Sequence, residues 1–197
     1  SEETPFRLKM RQMEGRERRR LGHCPGITLD MLTEGALALT DADYKEMQAF
    51  AMKLLHLLEG STDIHLTNPM GTDIALSVRG REFFTDSILN WKSLKWMNLP
   101  VGEVCVGPVE HSANGTLVCD LAVGGVRRLE EPMEITVKGG KAMDVRCKEK
   151  EVLEKVNRAL STDLWSSIVG EFAVGINHKA RLIDEFLESE KIYGTSH

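Results

Sequence analysis

Apolar residues recur at the spacing of a helix in several segments of the chain. The clearest case runs from Met47 to Leu58, where they share one face of a helix predicted over residues 41–59. Thr40 and Asp43 form a capping-box pattern at its start. Further helices are predicted over residues 149–160, over about 179–189, and, with Thr28 as N-cap, after the turn at Pro25–Gly26.

Near residue 61 the spacing of apolar residues changes from the 3.6 residues of a helix to every second residue, which indicates strands. Three hairpins are predicted, with turns at Asn68–Gly71, Asn114–Gly115 and Gly139–Gly140. The order of the elements, with helices first, then antiparallel hairpins and then helices again, indicates an α+β fold rather than a doubly wound sheet. We therefore expect a helical segment over residues 1–60 and a β-rich, largely antiparallel domain over residues 61–197 with flanking helices.

The composition is that of a folded protein, with 42% hydrophobic and 28% charged residues among 197. A net charge of −5 and the lack of a long apolar run argue against nucleic-acid and membrane partners. The basic segment between Arg7 and Arg20 has no interleaved aromatic residues and is expected to form a solvated face. The first residues have no signal-peptide core, which predicts a cytoplasmic protein. The four scattered cysteines predict buried thiols without disulfides.

Glu103 lies in NLPVGEVCVGP, a stretch that otherwise indicates a buried strand. A carboxylate in an apolar interior costs several kcal/mol unless a cation or a set of donors meets it. Glu171 and His197 lie in similar glycine-containing stretches, and two carboxylates with an imidazole are ligands that divalent cations accept. The alternatives are that Glu103 and Glu171 cap turns or pair with Arg127 or Arg181. His197 would then be a tag remnant or a frayed terminus.

Five ordered segments resemble the aminopeptidase T family of metallo-aminopeptidases. The segment NLPVGEVCVGPVEHSANGTLVCD is similar to the family's signature stretch, and the others are HCPGIT, NPMGTDIALSVRGR, GEFAVGIN and EKIYGTSH. The resemblance implies peptide substrates, a homodimer and a dinuclear centre of zinc, cobalt, manganese or magnesium ions that activates water. Glu103, Glu171 and His197 match family metal ligands, and Glu103 is either a ligand or the catalytic proton shuttle. His23, Glu110 and His111 match no ligand position.

The chain also departs from the family pattern. Most of an N-terminal α/β domain has no counterpart, and a tyrosine, a second histidine and an aspartate that follow the last family segment are missing. We therefore expect a fragment that lacks both ends and is nearly inactive alone. Two alternatives to the aminopeptidase stay open. One is a mononuclear-iron dioxygenase that cleaves aromatic rings on the same fold, and the other is a non-catalytic binding descendant.

Overall fold

The computed structural model describes residues 21–89, 96–184 and 186–197. The basic segment between Arg7 and Arg20 lies outside these ranges. The described chain combines mostly antiparallel sheets with a few helices, so the α+β prediction is confirmed. The helices are α1 (Leu29–Thr33), α2 (Asp41–Leu58), α3 (Lys150–Leu160) and α4 (Phe186–Ser189).

The predicted start signals of the first two helices are confirmed. The Thr28 side chain accepts a hydrogen bond from the backbone N–H of Met31 at the start of α1. At α2, the Thr40 side chain accepts from Asp43 N, and Asp43 in turn accepts from Thr40 N at 2.7 Å. Each cap satisfies amide groups that have no partner inside the helix.

The helix predicted over residues 179–189 is largely wrong, because residues 180–184 form a loop and, among the described residues of this segment, only the four of α4 are helical. Polar side chains at the end of the segment bind backbone amides of that loop. The buried Glu188 carboxylate accepts from Arg181 N at 3.2 Å, and Ser189 Oγ accepts from Ile183 N at 3.1 Å. Backbone N–H groups of this segment therefore donate to the Glu188 and Ser189 side chains, and the apolar residues at helical spacing lie in a loop.

Five antiparallel strands form the larger sheet, in the order β11-β10-β7-β3-β2. These strands are β2 (Asp63–Thr67), β3 (Asp73–Ser77), β7 (Asn114–Cys119), β10 (Met133–Lys138) and β11 (Lys141–Arg146). The predicted hairpins that turn at Asn68–Gly71 and Gly139–Gly140 are confirmed as β2–β3 and β10–β11.

The hairpin predicted at Asn114–Gly115 is wrong. Both residues begin strand β7, and Gly115 pairs with Ile74 on one side and Val137 on the other. A Cβ on Gly115 would lie 2.1 Å from Asp73 O, so glycine is required here by close backbone approach and not by a turn. The Asn114 side chain accepts from Gly139 N at 2.8 Å and thereby ties β7 to the β10–β11 turn.

A smaller antiparallel sheet carries the candidate site, in the order β12-β6-β4. Its strands are β4 (Phe84–Thr85), β6 (Glu103–Val106) and β12 (Phe172–Gly175). Helix α2 packs on this sheet, and the buried apolar residues at the contact are Met47, Ala51, Met97, Val101, Val104 and Ile176. Short pairs complete the described strands: β1 (Leu21–His23) with β5 (Trp96–Asn98), and β8 (Ala122–Val123) with β9 (Arg127–Arg128).

No disulfide joins the four cysteines, as expected, but only Cys105 is buried and the other three are half-buried. Within the described ranges, no helix has the length and apolar character needed to cross a membrane. The proposed division of the chain near residue 61 stays a prediction.

Candidate metal centre

Glu103 is positioned by the tight backbone that leads into β6. Gly102 has a φ of +134°, and a Cβ there would lie 2.5 Å from the Cβ of the buried Asn177. Asp86 Oδ1 accepts hydrogen bonds from Gly102 N at 2.8 Å and Glu103 N at 2.9 Å. The backbone that carries the Glu103 carboxylate is therefore restrained by close contact with Asn177 and by hydrogen bonds to Asp86.

The pairing of β6 with β12 brings the other two predicted ligands to Glu103. Gly175 lies opposite Glu103 in this ladder, and Glu171 directly precedes β12. His197 is held beside β12 because its backbone N–H and C=O both bond to Ala173, at 3.1 and 2.9 Å. Side chains from three distant parts of the sequence thus come together at the small sheet.

The three side chains converge on a small volume. His197 Nε2 lies 3.2 Å from Glu103 Oε2 and 3.6 Å from Glu171 Oε1. One ligand atom from each residue lies within 4.8 Å of the other two, and no other such group occurs among the described residues. Glu103 is mostly buried, His197 is partly buried, and Glu171 is half exposed. Their role as metal ligands stays a prediction.

The cation that faces Glu103 on its inner side is Lys191, which sequence reasoning missed. Its side chain is 1% exposed, and its ammonium lies 2.6 Å from Glu103 Oε1, 2.8 Å from Glu190 Oε1 and 3.7 Å from Asp86 Oδ2. Glu190 and Lys191 stand in EKIYGTSH, so an adjacent acid and base in that segment was the available signal.

The arginines considered as partners of Glu103 and Glu171 pair with other acids. Arg127 forms ion pairs with Glu130 and Glu149, and Arg181 lies 3.6 Å from Glu34. Two of the three residues left out of the ligand set are engaged elsewhere: His23 stacks on Trp96, and Glu110 forms an ion pair with Arg81 at 2.9 Å.

The charges of the site shift one another's pKa values. Burial is the largest influence on the Glu103 pKa and acts to raise it, but His197 and Lys191 together hold it below its usual range. Burial also opposes the charged form of His197, yet Glu103 and Glu171 raise its pKa to about 9. For Asp86, burial prevails and raises the pKa to about 6. Burial acts to lower the pKa of Lys191, but the neighbouring carboxylates of Asp86, Glu103 and Glu190 outweigh it and raise that pKa.

The donor set fits a divalent cation. It consists of two carboxylates and an imidazole, without a thiolate, which suits zinc, cobalt, manganese or iron. Glu103 Oε2 is buried and accepts no hydrogen bond from any described residue. An unsatisfied carboxylate oxygen that faces an imidazole and a second carboxylate is the arrangement expected where a cation binds.

The candidate ligands lie in a chain that matches a known family. The sequence pattern of the thermophilic metalloprotease (M29) family matches residues 40–191, which is more than half of the chain. The chain belongs to this family. The match includes Glu103, Glu171 and Lys191, whereas His197 lies beyond its end. Comparison with curated proteins gave no significant match.

Two solved structures share the fold of this family member. A 2,5-dihydroxypyridine dioxygenase from Pseudomonas putida KT2440 superimposes with a TM-score of 0.67 at 16% identity, over 97% of this chain and 62% of that one. AmpT from Thermus thermophilus superimposes with a TM-score of 0.62 at 22% identity, over 81% of this chain and 42% of that one. The chain therefore spans less than two thirds of either structure.

Proposed function

We propose that this M29 chain acts as a metal-dependent aminopeptidase that releases the N-terminal residue from peptides. The observation that carries the proposal is the convergence of Glu103, Glu171 and His197 within a chain of a metalloprotease family. The peptide substrate is inferred from the family, and the homodimer and the cytoplasmic location stay predictions.

Glu103, Glu171 and His197 would hold the divalent cation. When bound, such a cation polarises the scissile carbonyl and lowers the pKa of water that attacks it. The proposed centre is dinuclear, as the family resemblance implies. Three donors are fewer than two cations take, so the second cation requires donors in addition to Glu103, Glu171 and His197.

We assign Glu103 to metal ligation rather than to proton transfer. Its Oε1 is held by the Lys191 ammonium at 2.6 Å, while its buried Oε2 faces His197 without accepting a hydrogen bond. A proton shuttle must exchange its proton with the reacting groups, whereas Glu103 is anchored at one oxygen and aimed at the other ligands with the second. Glu171, which is half exposed, forms the solvent side of the centre.

A second candidate function is a mononuclear-iron dioxygenase that cleaves an aromatic ring. It is favoured by the shared fold with the 2,5-dihydroxypyridine dioxygenase, which covers 97% of this chain. Iron accepts the same carboxylate and imidazole ligands, so the three side chains by themselves suit both reactions. The family match favours the peptidase.

The experiment that separates the two functions is metal reconstitution with parallel assays. The full-length protein is dialysed against a chelator, and zinc, cobalt, manganese, magnesium or ferrous ions are added back singly. We expect N-terminal residues to be released from leucyl-, alanyl- and phenylalanyl-peptides with one of the non-iron metals. Oxygen uptake with hydroxylated pyridines, only with ferrous iron and without peptide cleavage, would replace the aminopeptidase with the dioxygenase.

A further inference from the structure

Lys191 lies among three carboxylates at the inner side of the candidate centre. Its ammonium contacts Glu103 and Glu190 at 2.6 and 2.8 Å and lies 3.7 Å from Asp86. A single positive charge cannot balance three ionised carboxylates, and Asp86 Oδ2 is buried without a hydrogen-bond partner among the described residues. The Lys191 ammonium therefore occupies a position that has the ligands of a hard cation, which are carboxylate oxygens.

The position of Lys191 is fixed by its backbone. Lys191 N donates to Glu188 O at 3.0 Å, and Lys191 O accepts from Asn177 N at 2.9 Å. Asn177 is itself fully buried, and its side chain donates to Val101 O at 3.0 Å, just before Gly102. The segment that carries the ammonium is thus tied to the backbone that carries Glu103.

The two oxygens of Glu103 face different surroundings. Oε1 faces Lys191, with Asp86 and Glu190 around it, and we call this the inner position. Oε2 faces His197, with Glu171 beside it, and we call this the outer position. Glu190 borders both positions, since its Oε2 lies 3.9 Å from His197 Nε2. Without the ammonium, the three carboxylates of the inner position would keep the His197 imidazole as a counter-charge, 3.2 Å from Glu103 and 3.9 Å from Glu190. One imidazolium does not balance three buried acids, which then take up a cation or protons.

We propose that Lys191 is a positioning residue whose ammonium fills the inner position and thereby restricts divalent cations to the outer position at Glu103, Glu171 and His197. This role rests on the metal centre proposed above for the outer position. The lysine acts through Glu103, since it holds one oxygen and leaves the other for the metal. Because the ammonium occupies the inner position, a divalent cation binds only at the outer position.

The test is the number of divalent cations that the full chain binds, measured with Mn²⁺ by equilibrium dialysis. Lys191→Met removes the charge and retains an unbranched side chain, and we expect it to bind about one more Mn²⁺ per chain than the wild type, since the inner carboxylates become available. Lys179→Met is the matched control, because Lys179 pairs with the acid Asp43 at 3.0 Å outside the cluster. It should leave the Mn²⁺ stoichiometry unchanged.

A triple variant tests whether the additional ion binds at the inner position. Asp86→Asn and Glu190→Gln, added to Lys191→Met, remove the inner charges, and the stoichiometry should return to that of the wild type. If Lys191→Met is unfolded without metal, we expect Mn²⁺ to restore its circular dichroism spectrum. Unchanged stoichiometry in folded Lys191→Met, or a variant that stays unfolded in saturating Mn²⁺, would overturn the proposal.

These outcomes are distinguishable from failure of the proposed function. If the wild type binds no Mn²⁺ but Lys191→Met binds about one equivalent, the outer metal centre fails and the inner position stands. If the wild type binds Mn²⁺ and Lys191→Met binds no more, the metal centre stands and the role of Lys191 fails. Neither measurement depends on peptidase activity.

Discussion

His197 Nε2 lies 3.2 Å from Glu103 Oε2, although the two residues belong to different segments of the small sheet. The contact depends on two successive pairings: β6 with β12, and the His197 backbone with Ala173. A shift of one residue in the β6–β12 register would turn Glu103 to the opposite face of the sheet. The candidate centre is therefore a product of sheet register as much as of residue type.

Glu103→Gln should reduce the affinity for divalent cations more than the same substitution at any surface glutamate. The amide retains the shape of the side chain but removes the charge that faces His197. Loss of an indirect metal partner already costs about 10–100-fold in affinity or activity, and we expect a ligand to exceed that range. Metal content after dialysis and peptide hydrolysis measure the effect. The matched control is Glu110→Gln, whose carboxylate pairs with Arg81 at the surface, and an equal loss there would contradict the assignment.

Glu171→Gln should separate metal binding from folding. The Glu171 side chain is 50% exposed, and we expect its replacement to change the free energy of unfolding by less than about 0.5 kcal/mol. Mn²⁺ affinity, in contrast, should fall at least about 10-fold. Urea unfolding of the metal-free protein and Mn²⁺ titration provide the two measurements. Unaltered Mn²⁺ affinity would remove Glu171 from the ligand set.

Gly102→Ala should destabilise the protein because the backbone before Glu103 has no space for a side chain. The new Cβ would meet Asn177 at 2.5 Å and would sit at a φ of +134°. Strain and steric overlap together suggest a loss of roughly 2–5 kcal/mol in the free energy of unfolding. Gly60→Ala is the control, since Gly60 also has a positive φ but nothing within 4 Å of its Cβ, and it should lose only about 1–2 kcal/mol. Equal losses would show that the contact with Asn177 is unimportant.

Asp43 should make the stability of the protein depend on acidic pH. Hydrogen bonds from Thr40 N and Thr40 Oγ1, then the Lys179 ammonium, lower the pKa of Asp43 from 3.8 to about 2. Because the folded-state pKa is the lower one, the stabilisation is complete above about pH 4 and is lost as the pH falls towards 2. The difference in unfolding free energy between wild type and Asp43→Asn should therefore shrink over this range.

Thermal unfolding of the two proteins across acidic pH measures that difference. Asp41→Asn is the control, because Asp41 lies in the same helical turn but does not form the capping box. A difference between wild type and Asp43→Asn that stays constant down to pH 2 would contradict the assigned role of the Thr40–Asp43 contacts.

Local signals in the sequence predicted the starts of two helices and two of the three expected hairpins. The start of α2 at Thr40 and the β10–β11 turn at Gly139–Gly140 depend on adjacent residues, so pattern alone was sufficient. The hairpin prediction at Asn114–Gly115 was wrong because Gly115 is needed for the close approach of the neighbouring strand at Asp73, and no local pattern reveals that contact. The helix predicted over 179–189 failed for a similar reason, since Glu188 and Ser189 bind the loop that precedes them.

The candidate site was only half predictable. Glu103, Glu171 and His197 could be selected by residue type and family resemblance, and the structure places them together. The inner cation could not be selected, because burial of Lys191 depends on the tertiary contact between its loop and Asn177. A buried carboxylate indicated that a cation was needed, but charge alone did not distinguish Lys191 from Arg127 or Arg181.

The most direct test of the metal centre is a crystal structure of the protein soaked with Mn²⁺ or Zn²⁺, with the ion located by anomalous diffraction. We expect an anomalous peak in contact with Glu103 Oε2, a Glu171 oxygen and His197 Nε2. The Lys191 ammonium should remain on Glu103 Oε1. A fully loaded crystal with no peak at these three side chains, or with its only peak elsewhere, would contradict the assignment of Glu103, Glu171 and His197 as the metal centre.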